Sequence, residues 1–355
     1  MRNRDRILIF VQSGVGGAER MSVLVGKECF NSGYEVKFCV VKRNTHDAPI
    51  IDFIPDKMDV RYINNRNVLF LLFSMFWVIV KEQPLTIFSS VINLNNKLLI
   101  LKKIFGRTKF VIRCDNYIYT YTSKQQNILR KTYPLADKII AQTEEMRDEL
   151  LCIPKIDSSK VVVLHNPLDT KTIDIKTLNC KSPFPDDKKK HIVAIGRFSY
   201  QKGFDLLLQS FAKICSITNE IELYLVGDYE INGKDVYEQI MEYANNNKIA
   251  EYVHCVGYKD NPYIYLKMAD CFVLSSRWEG LPNVLIESLY LGTPVAAFKC
   301  IPIIERIINN GVNGYLADKE NTTELADAIL KTLPLGRVKT SYKPSDIKDF
   351  VTLLK

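Results

Sequence analysis

HIVAIGRFSYQKGFDLLLQSF, residues 191–211, reads as a strand, a turn and a helix in immediate succession. Ile192 to Ile195 form an apolar run too short for a helix and are stopped by Gly196. After the polar RFSYQK, Phe204, Leu207, Leu208 and Phe211 recur at helical spacing. Before it lies LDTKTIDIKTLNCKSPFPDDKKK (168–190), a polar stretch with prolines and a charge run, which reads as a domain junction. Beyond it, short apolar runs keep alternating with helix-length segments: IELYLVG (221–227), YVHCVG (252–257), CFVLSS (271–276), TPVAAF (293–298) and NGYLA (313–317). The region before the junction has the same rhythm, with runs at 7–11, 36–41, 86–91, 108–113, 137–142 and 161–166. Such alternation predicts α/β folding with doubly wound parallel sheets, once in each half of the chain. In a pair of this kind the ligand is expected in the cleft facing the carboxyl ends of both sheets. The expected boundaries are 1–170, 171–335 and a terminal segment 336–355, whose amphipathic PSDIKDFVTLLK (344–355) is expected to pack back on the first half.

Size and composition agree with two globular domains. The chain has 355 residues, 47% hydrophobic and 25% charged, against about 100 to 200 residues for one domain. Nine cysteines, an odd number without a C-x-x-C pair, read as reduced core thiols. With a start, MRNRDRILIFVQSG, that runs straight into a strand, they suggest a cytoplasmic protein. The net charge of +8 calls for an anionic partner. Nucleic acid is not expected, because neither clustered basic residues with aromatic platforms nor a known motif is present. The apolar run Val68 to Val80, in NVLFLLFSMFWVIVKEQP (67–84), is shorter than the roughly 20 residues that span a bilayer. It reads either as a buried helix or as a face resting on lipid headgroups, helped by Trp77 and Lys81. In the second reading Arg61, Arg66, Lys102 and Lys103 would dock the protein on the anionic inner face of the plasma membrane.

Each half opens with a strand, a glycine-containing loop and a helix. In the first, Gly14, Gly16 and Gly17 precede a helix expected to begin near Ala18, so backbone N–H groups and a helix dipole face the space above the sheet, a setting for an anion. The spacing departs from G-x-G-x-x-G and argues against a dinucleotide redox site. In the second, Arg197 follows the strand and Lys202 precedes the helix, two cations suited to a diphosphate without a metal. In RWEGLPNVLIE (277–287), Glu279 falls in a loop and Glu287 in an apolar helix, where an unpartnered carboxylate is costly and hydroxyls of a ribose or a sugar would satisfy it. The plainer readings are a tight turn, two solvated cations, and a cap with a surface glutamate. No D-x-D triplet faces a strand end, and the histidines at 46, 165, 191 and 254 are scattered, so no metal site is expected.

Taken in order, GVGGAER (14–20), IIAQTEEMRDELL (139–151), VLHNPLD (163–169), GRFSYQKG (196–203), DNPYIYLKMADCFVL (260–274) and SSRWEGLPNVLIESLYLGTPV (275–295) resemble glycosyltransferase family 4, retaining enzymes of the GT-B fold. The likeness runs from about Ile7 to Asp318. It implies two Rossmann-like domains facing a cleft, the first for the acceptor and the second for a nucleotide sugar. It gives Glu279 the donor-sugar hydroxyls, Glu287 the nucleotide ribose, and Arg197 and Lys202 the diphosphate. Backbone amides of Gly16 and Gly17, and of the loop Gly280, Leu281, Pro282 and Asn283, complete the pocket. A departing phosphate acting as base on the same face would explain the absence of a visible protein nucleophile. The implied function is transfer from a UDP-sugar to a saccharide or lipid-linked saccharide in O-antigen, capsule or exopolysaccharide synthesis, with the nucleotide sugar as co-substrate and no cofactor.

Two places depart from the family pattern. Where relatives carry His or Arg near the end of the fourth strand, VIRCDNYIY (111–119) offers Arg113, Asp115 and Asn116, which become candidates on the acceptor side. After TPVAAF, where relatives have a Gly-Pro turn ahead of a Glu, FKCIPIIERI (298–307) has Ile301-Pro302 and Glu305, which implies a reshaped wall. Two rival functions use the same architecture: a sugar-nucleotide epimerase, which converts the donor without any acceptor, and a non-catalytic sugar-nucleotide-binding relative, which yields no product.

Overall fold

A computed structural model describes residues 5–42, 48–64, 67–185, 188–229 and 233–355. His46 and Arg66, singled out in the sequence, lie outside the described residues. The chain forms two compact units, Met1–Pro167 with Pro344–Lys355, and Leu168–Lys343.

The first unit is built on seven strands: β1 Arg6–Gln12, β2 Glu35–Lys42, β3 Asp59–Asn64, β4 Thr86–Ser89, β5 Lys109–Arg113, β6 Lys138–Ala141 and β7 Val161–Val163. All pair in parallel, in the order β3-β2-β1-β4-β5-β6-β7. Central strands such as β1 are buried on both faces, which is why they read as unbroken apolar runs. The edge strand β3, DVRYIN, escaped the sequence reading: only Ile63 is buried, so burial imposed no apolar run on it. One side of the sheet carries a core in which helix Gly17–Asn31 and the C-terminal helix Ile347–Leu354 meet β1 and β2, with Phe350 and Leu354 fully enclosed. Thr86 Oγ1 donates to the Leu354 carbonyl at 2.8 Å, tying that last helix to β4. Residues 336–343 belong instead to the second unit.

The second unit has six parallel strands: β8 Lys190–Ile195, β9 Ile221–Val226, β10 Val253–Gly257, β11 Cys271–Leu274, β12 Val295–Phe298 and β13 Gly314–Ala317, in the order β10-β9-β8-β11-β12-β13. Each sheet therefore grows in both directions from its first strand. The reversal falls between β1 and β4 in one unit and between β8 and β11 in the other, and loops at such a reversal diverge and leave a crevice at the carboxyl edge. The segment leaving β8 carries Arg197 and Lys202, and the loop leaving β11 carries Glu279 and leads into the helix that holds Glu287.

The run at 68–80 forms helix Val68–Glu82, capped by the Asn67 side chain, which accepts from the Phe70 N–H at 2.8 Å. Leu71, Met75, Val78 and Ile79 are buried, while Leu69, Phe73 and Trp77 face solvent. It is thus half-buried, meeting neither sequence reading in full. Among the described residues no helix is long and apolar enough to cross a membrane. Cys29, Cys39, Cys114, Cys271 and Cys300 are buried as core thiols, whereas Cys152 is exposed, against the expectation for the set.

Candidate active site

In the second unit the loops after β8 and β11 close on each other. The chain makes a short turn, Tyr200–Lys202, then passes Gly203 at φ +62° into helix Phe204–Cys215. A Cβ at Gly203 would lie 2.2 Å from the Ser275 carbonyl oxygen, so both the left-handed backbone and the contact call for glycine. The Lys202 side chain folds back over Gly196 and its Nζ meets Glu279 Oε1 at 2.6 Å. Ser276 Oγ donates to the same oxygen at 2.7 Å. Neither bond reaches Oε2. Arg197 is exposed at the carboxyl end of β8.

Buried Arg277 binds Asp205 with two nitrogens, at 2.9 and 2.6 Å, and its Nη1 donates to the Tyr200 carbonyl at 2.7 Å. Its guanidinium carbon sits 3.8 Å from the Tyr200 ring centroid. The Asp205 hydrogen bonds raise its pKa above the usual arginine value. The Arg277 N–H to Gln201 carbonyl bond at 2.8 Å and the Gln201 Nε2 to Trp278 carbonyl bond at 3.0 Å complete the seam. Glu287 is buried in helix Asn283–Tyr290, a little over one turn from its start, while Gly280, Leu281 and Pro282 form the buried approach and Asn283 is half-buried. Cys300 and Ile301 are buried after β12; burial, and next the Glu279 carboxylate, push the Cys300 thiol well up. Pro302 starts a helix and Glu305 is exposed.

In the first unit, Gly16 caps helix Gly17–Asn31 without a side-chain bond. A Cβ there would stand 2.6 Å from Glu19 Oε2, so the chain's own carboxylate lies over the turn that the sequence marked for an anion. Arg113, at the end of β5, is fully enclosed; its Nη2 donates to Asn166 Oδ1, and its carbonyl accepts from Asn95 Nδ2 at 3.0 Å. Burial lowers its pKa to about 10, with Asp115 pulling the other way. Asp115 Oδ1 accepts from the Tyr121 hydroxyl at 2.6 Å, and that hydroxyl oxygen accepts from the Asn116 N–H at 3.1 Å. Burial raises the Asp115 carboxyl above its ordinary 3.8, opposed by the Tyr121 bond. Ser22 Oγ donates to Ser90 Oγ at 2.8 Å, joining the helix to the segment after β4.

Two family models match this chain in succession: Glycosyltransferase Family 4 over residues 15–172 and Glycosyl transferases group 1 over 176–343. The chain belongs to these glycosyltransferases. The amylovoran biosynthesis glycosyltransferase AmsD of Erwinia amylovora is 26% identical over 92% of this chain and 89% of its own length. The Campylobacter jejuni N-acetylgalactosamine-N,N'-diacetylbacillosaminyl-diphospho-undecaprenol 4-alpha-N-acetylgalactosaminyltransferase is 23% identical over 71% of this chain and 68% of its own. An uncharacterized glycosyltransferase of Methanocaldococcus jannaschii is 30% identical over 57% of this chain and 52% of its own length. Among solved structures, Anabaena HepE in complex with UDP and glucose superposes with a TM-score of 0.78 at 16% identity, covering 98% of this chain and 95% of that one. Sucrose-phosphate synthase from Thermosynechococcus elongatus gives 0.76 at 17%, covering 99% and 95%. The fold is GT-B, two Rossmann-like parallel-sheet units.

Of the residues marked in the sequence of this glycosyltransferase, the structure brings Lys202 and Glu279 into contact and sets Arg197 at the same edge of the same unit. Gly16, Gly17, Arg113, Asp115 and Asn116 lie in the first unit. Ser276, Arg277 and Asp205 were missed. Arg277 stood inside the quoted RWEGLPNVLIE, but its burial and its partner Asp205, 72 positions away, are not legible there. His191 and His254 lie near the amino ends of β8 and β10, stacked on Phe184 at 4.2 Å and on Tyr224 at 4.5 Å.

Proposed function

We propose that this glycosyltransferase moves a sugar, with retention of configuration, from a UDP-sugar to a lipid-linked saccharide at an anionic membrane surface, in building a bacterial surface polysaccharide. The observation that carries the donor half is the contact of Lys202 with Glu279, which joins a diphosphate-sized cation to a hydroxyl acceptor at the crevice between β8 and β11. Arg197 grips the diphosphate with its fork of N–H groups, and Lys202 transfers part of its bonding from Glu279 to the phosphate as the donor enters. Glu279 then accepts from the sugar hydroxyls, and Glu287 from the ribose. The backbone from Gly280 to Asn283 lines the sugar, with N–H donors at Gly280, Leu281 and Asn283 and none at Pro282. Because Glu19 already lies over Gly16, that turn suits an uncharged hydroxyl better than a phosphate. The acceptor oxygen bonds to the anomeric carbon, the bond from that carbon to the phosphate oxygen breaks, and the acceptor proton passes to the departing diphosphate on the same face. Arg197 and Lys202 stabilise the charge that develops there, so no metal is required.

HepE was solved with UDP and with UDP-glucose, and the Campylobacter transferase is named for a diphospho-undecaprenol acceptor; both support these choices. The first test is thermal unfolding against a panel of nucleoside diphosphates. Saturating UDP, at a hundred times its dissociation constant, adds about 2.7 kcal/mol, and the shift disappears in Lys202→Ala. Incubation of candidate donors with chelator present, with and without undecaprenyl-diphosphate saccharides, then separates the alternatives. Product formed only with acceptor supports transfer, donor conversion without acceptor means an epimerase, and binding without product in any mixture means a non-catalytic relative.

A further inference from the structure

We propose that Arg277 is a positioning residue of the donor site: from the loop after β11 it grips the turn that carries Lys202, and so sets where that cation stands against Glu279. Three successive carbonyls of the turn Tyr200–Lys202 accept from the segment that leaves β11. The Tyr200 carbonyl accepts from Arg277 Nη1 at 2.7 Å, that of Gln201 from the Arg277 backbone N–H at 2.8 Å, and that of Lys202 from Ser275 Oγ at 2.9 Å. Beyond Gly203, the two terminal nitrogens of Arg277 hold the Asp205 carboxylate at 2.9 and 2.6 Å. The guanidinium therefore grips the chain on both sides of Lys202. Between Ser275 and Arg277, Ser276 Oγ donates at 2.7 Å to Glu279 Oε1, the oxygen that also meets Lys202 Nζ at 2.6 Å. One stretch of three residues thus holds both the backbone of the cation and the carboxylate it faces.

A third loop of the same edge ends on this group. Glu320, in the segment after β13, brings Oε2 to 3.6 Å from Arg277 Nε. Its backbone is left-handed, at φ +62°, a conformation that a glutamate keeps only where its surroundings hold it. The Arg277 side chain is 7% exposed, whereas those of Asp205 and Glu320 are 44% and 43% exposed. A buried cation paired with half-exposed acids is a weak source of net stability, because its desolvation offsets much of the attraction. What arginine supplies here is geometry. Its planar fork of N–H donors serves a carboxylate and a carbonyl in fixed directions at once, which the single ammonium of a lysine cannot do. The Tyr200 ring, 3.8 Å from the guanidinium carbon, covers the fork.

The use of this pair for a donor rests on the function proposed above, but the positioning is read without any donor. Lysines of the full chain are trace-labelled with acetic anhydride, and the rate at each site is followed by mass spectrometry. In the wild type Lys202, 17% exposed and paired with Glu279, reacts more slowly than Lys234, which is 73% exposed. Arg277→Lys keeps the charge and loses the fork, and loss of hydrogen bonds to a charged group opens the turn enough to raise the Lys202 rate about tenfold or more. Lys189, held by Glu222 at 2.8 Å at the opposite edge of the same sheet, keeps its rate, whereas a merely structural role for Arg277 would loosen the unit and speed both. Asp205→Asn, at a half-exposed position, gives the same selective rise in smaller measure and decides the point if Arg277→Lys does not fold. UDP affinity falls about tenfold in Arg277→Lys, and the same change made in Lys202→Ala leaves it where it was, because the two residues act as one unit. A wild type that binds no UDP removes the donor reading, and the labelling then decides the positioning alone. A Lys202 rate that stays slow in both variants overturns the proposal, as does an equal rise at Lys189 or an additive loss of UDP affinity in the double variant.

Discussion

At the carboxyl edge of the second sheet the two loops flanking the reversal are joined by charge: Lys202 to Glu279 and Arg277 to Asp205, with a guanidinium laid on Tyr200. At the corresponding edge of the first sheet each tie named has at least one neutral partner. Ser22 meets Ser90, Arg113 meets the amide of Asn166, and Asp115 meets the Tyr121 hydroxyl. The difference fits the ligand that the proposed function gives to each edge. Loops that receive a dianionic leaving group can be preorganised by cations whose carboxylate partners yield when phosphate arrives, whereas hydroxyl-rich ligands are met by neutral donors and acceptors.

Four changes test that contrast, from the largest expected effect to the smallest. Glu279→Ala removes the carboxylate closest to Lys202 and is expected to lower kcat by about a hundredfold to a thousandfold, a loss of roughly 2.7 to 4 kcal/mol, while UDP binding persists. Unchanged kcat would remove Glu279 from the site. Arg277→Ala breaks the seam without touching a ligand. Loss of a buried, bidentate cation should destabilise the second unit by about 2 to 3 kcal/mol, and hydrogen exchange should speed up in residues 196–203 and 275–283 but not in the first unit. Uniform acceleration in both units would dissolve the contrast. Gly203→Ala, forced to a positive φ against the Ser275 carbonyl, should cost about 1 to 3 kcal/mol, read as a lower midpoint in denaturant. Asp115→Asn has the smallest effect and a defined pH sense. A carboxyl raised by burial favours the folded state most when protonated, and that contribution is lost as pH rises from its ordinary 3.8 through the raised folded value. The variant should therefore gain stability over the wild type on going from acid to neutral pH; a difference that shrinks instead would reverse the assignment.

Much of the fold was legible because parallel strands buried on both faces must be apolar throughout. All six strands of the second unit, and six of the seven in the first, stood out as short runs. β3 did not, since an edge strand with one buried residue carries no such mark. The apolar run at 68–80 was read as buried or lipid-facing, and it is half of each, because hydrophobicity records composition and not which side of a helix has a neighbour. Within the candidate site, Arg197, Lys202 and Glu279 were visible as charged residues placed just after strands, and Glu287 as a carboxylate in an apolar helix. Glu19 was not, because nothing in GVGGAER reveals that its carboxylate turns back over Gly16.

The order of strands, loops and helices, and the charges set at the ends of β8 and β11, are properties of the sequence, since each depends on neighbours a few positions away. Tertiary structure decided that Lys202 reaches Glu279 across 77 positions, that Arg277 reaches Asp205 across 72, and that the final helix closes the core of the first unit. Those contacts exist because parallel packing brings distant strand ends side by side at one edge of a sheet, and no local pattern encodes which ends will meet.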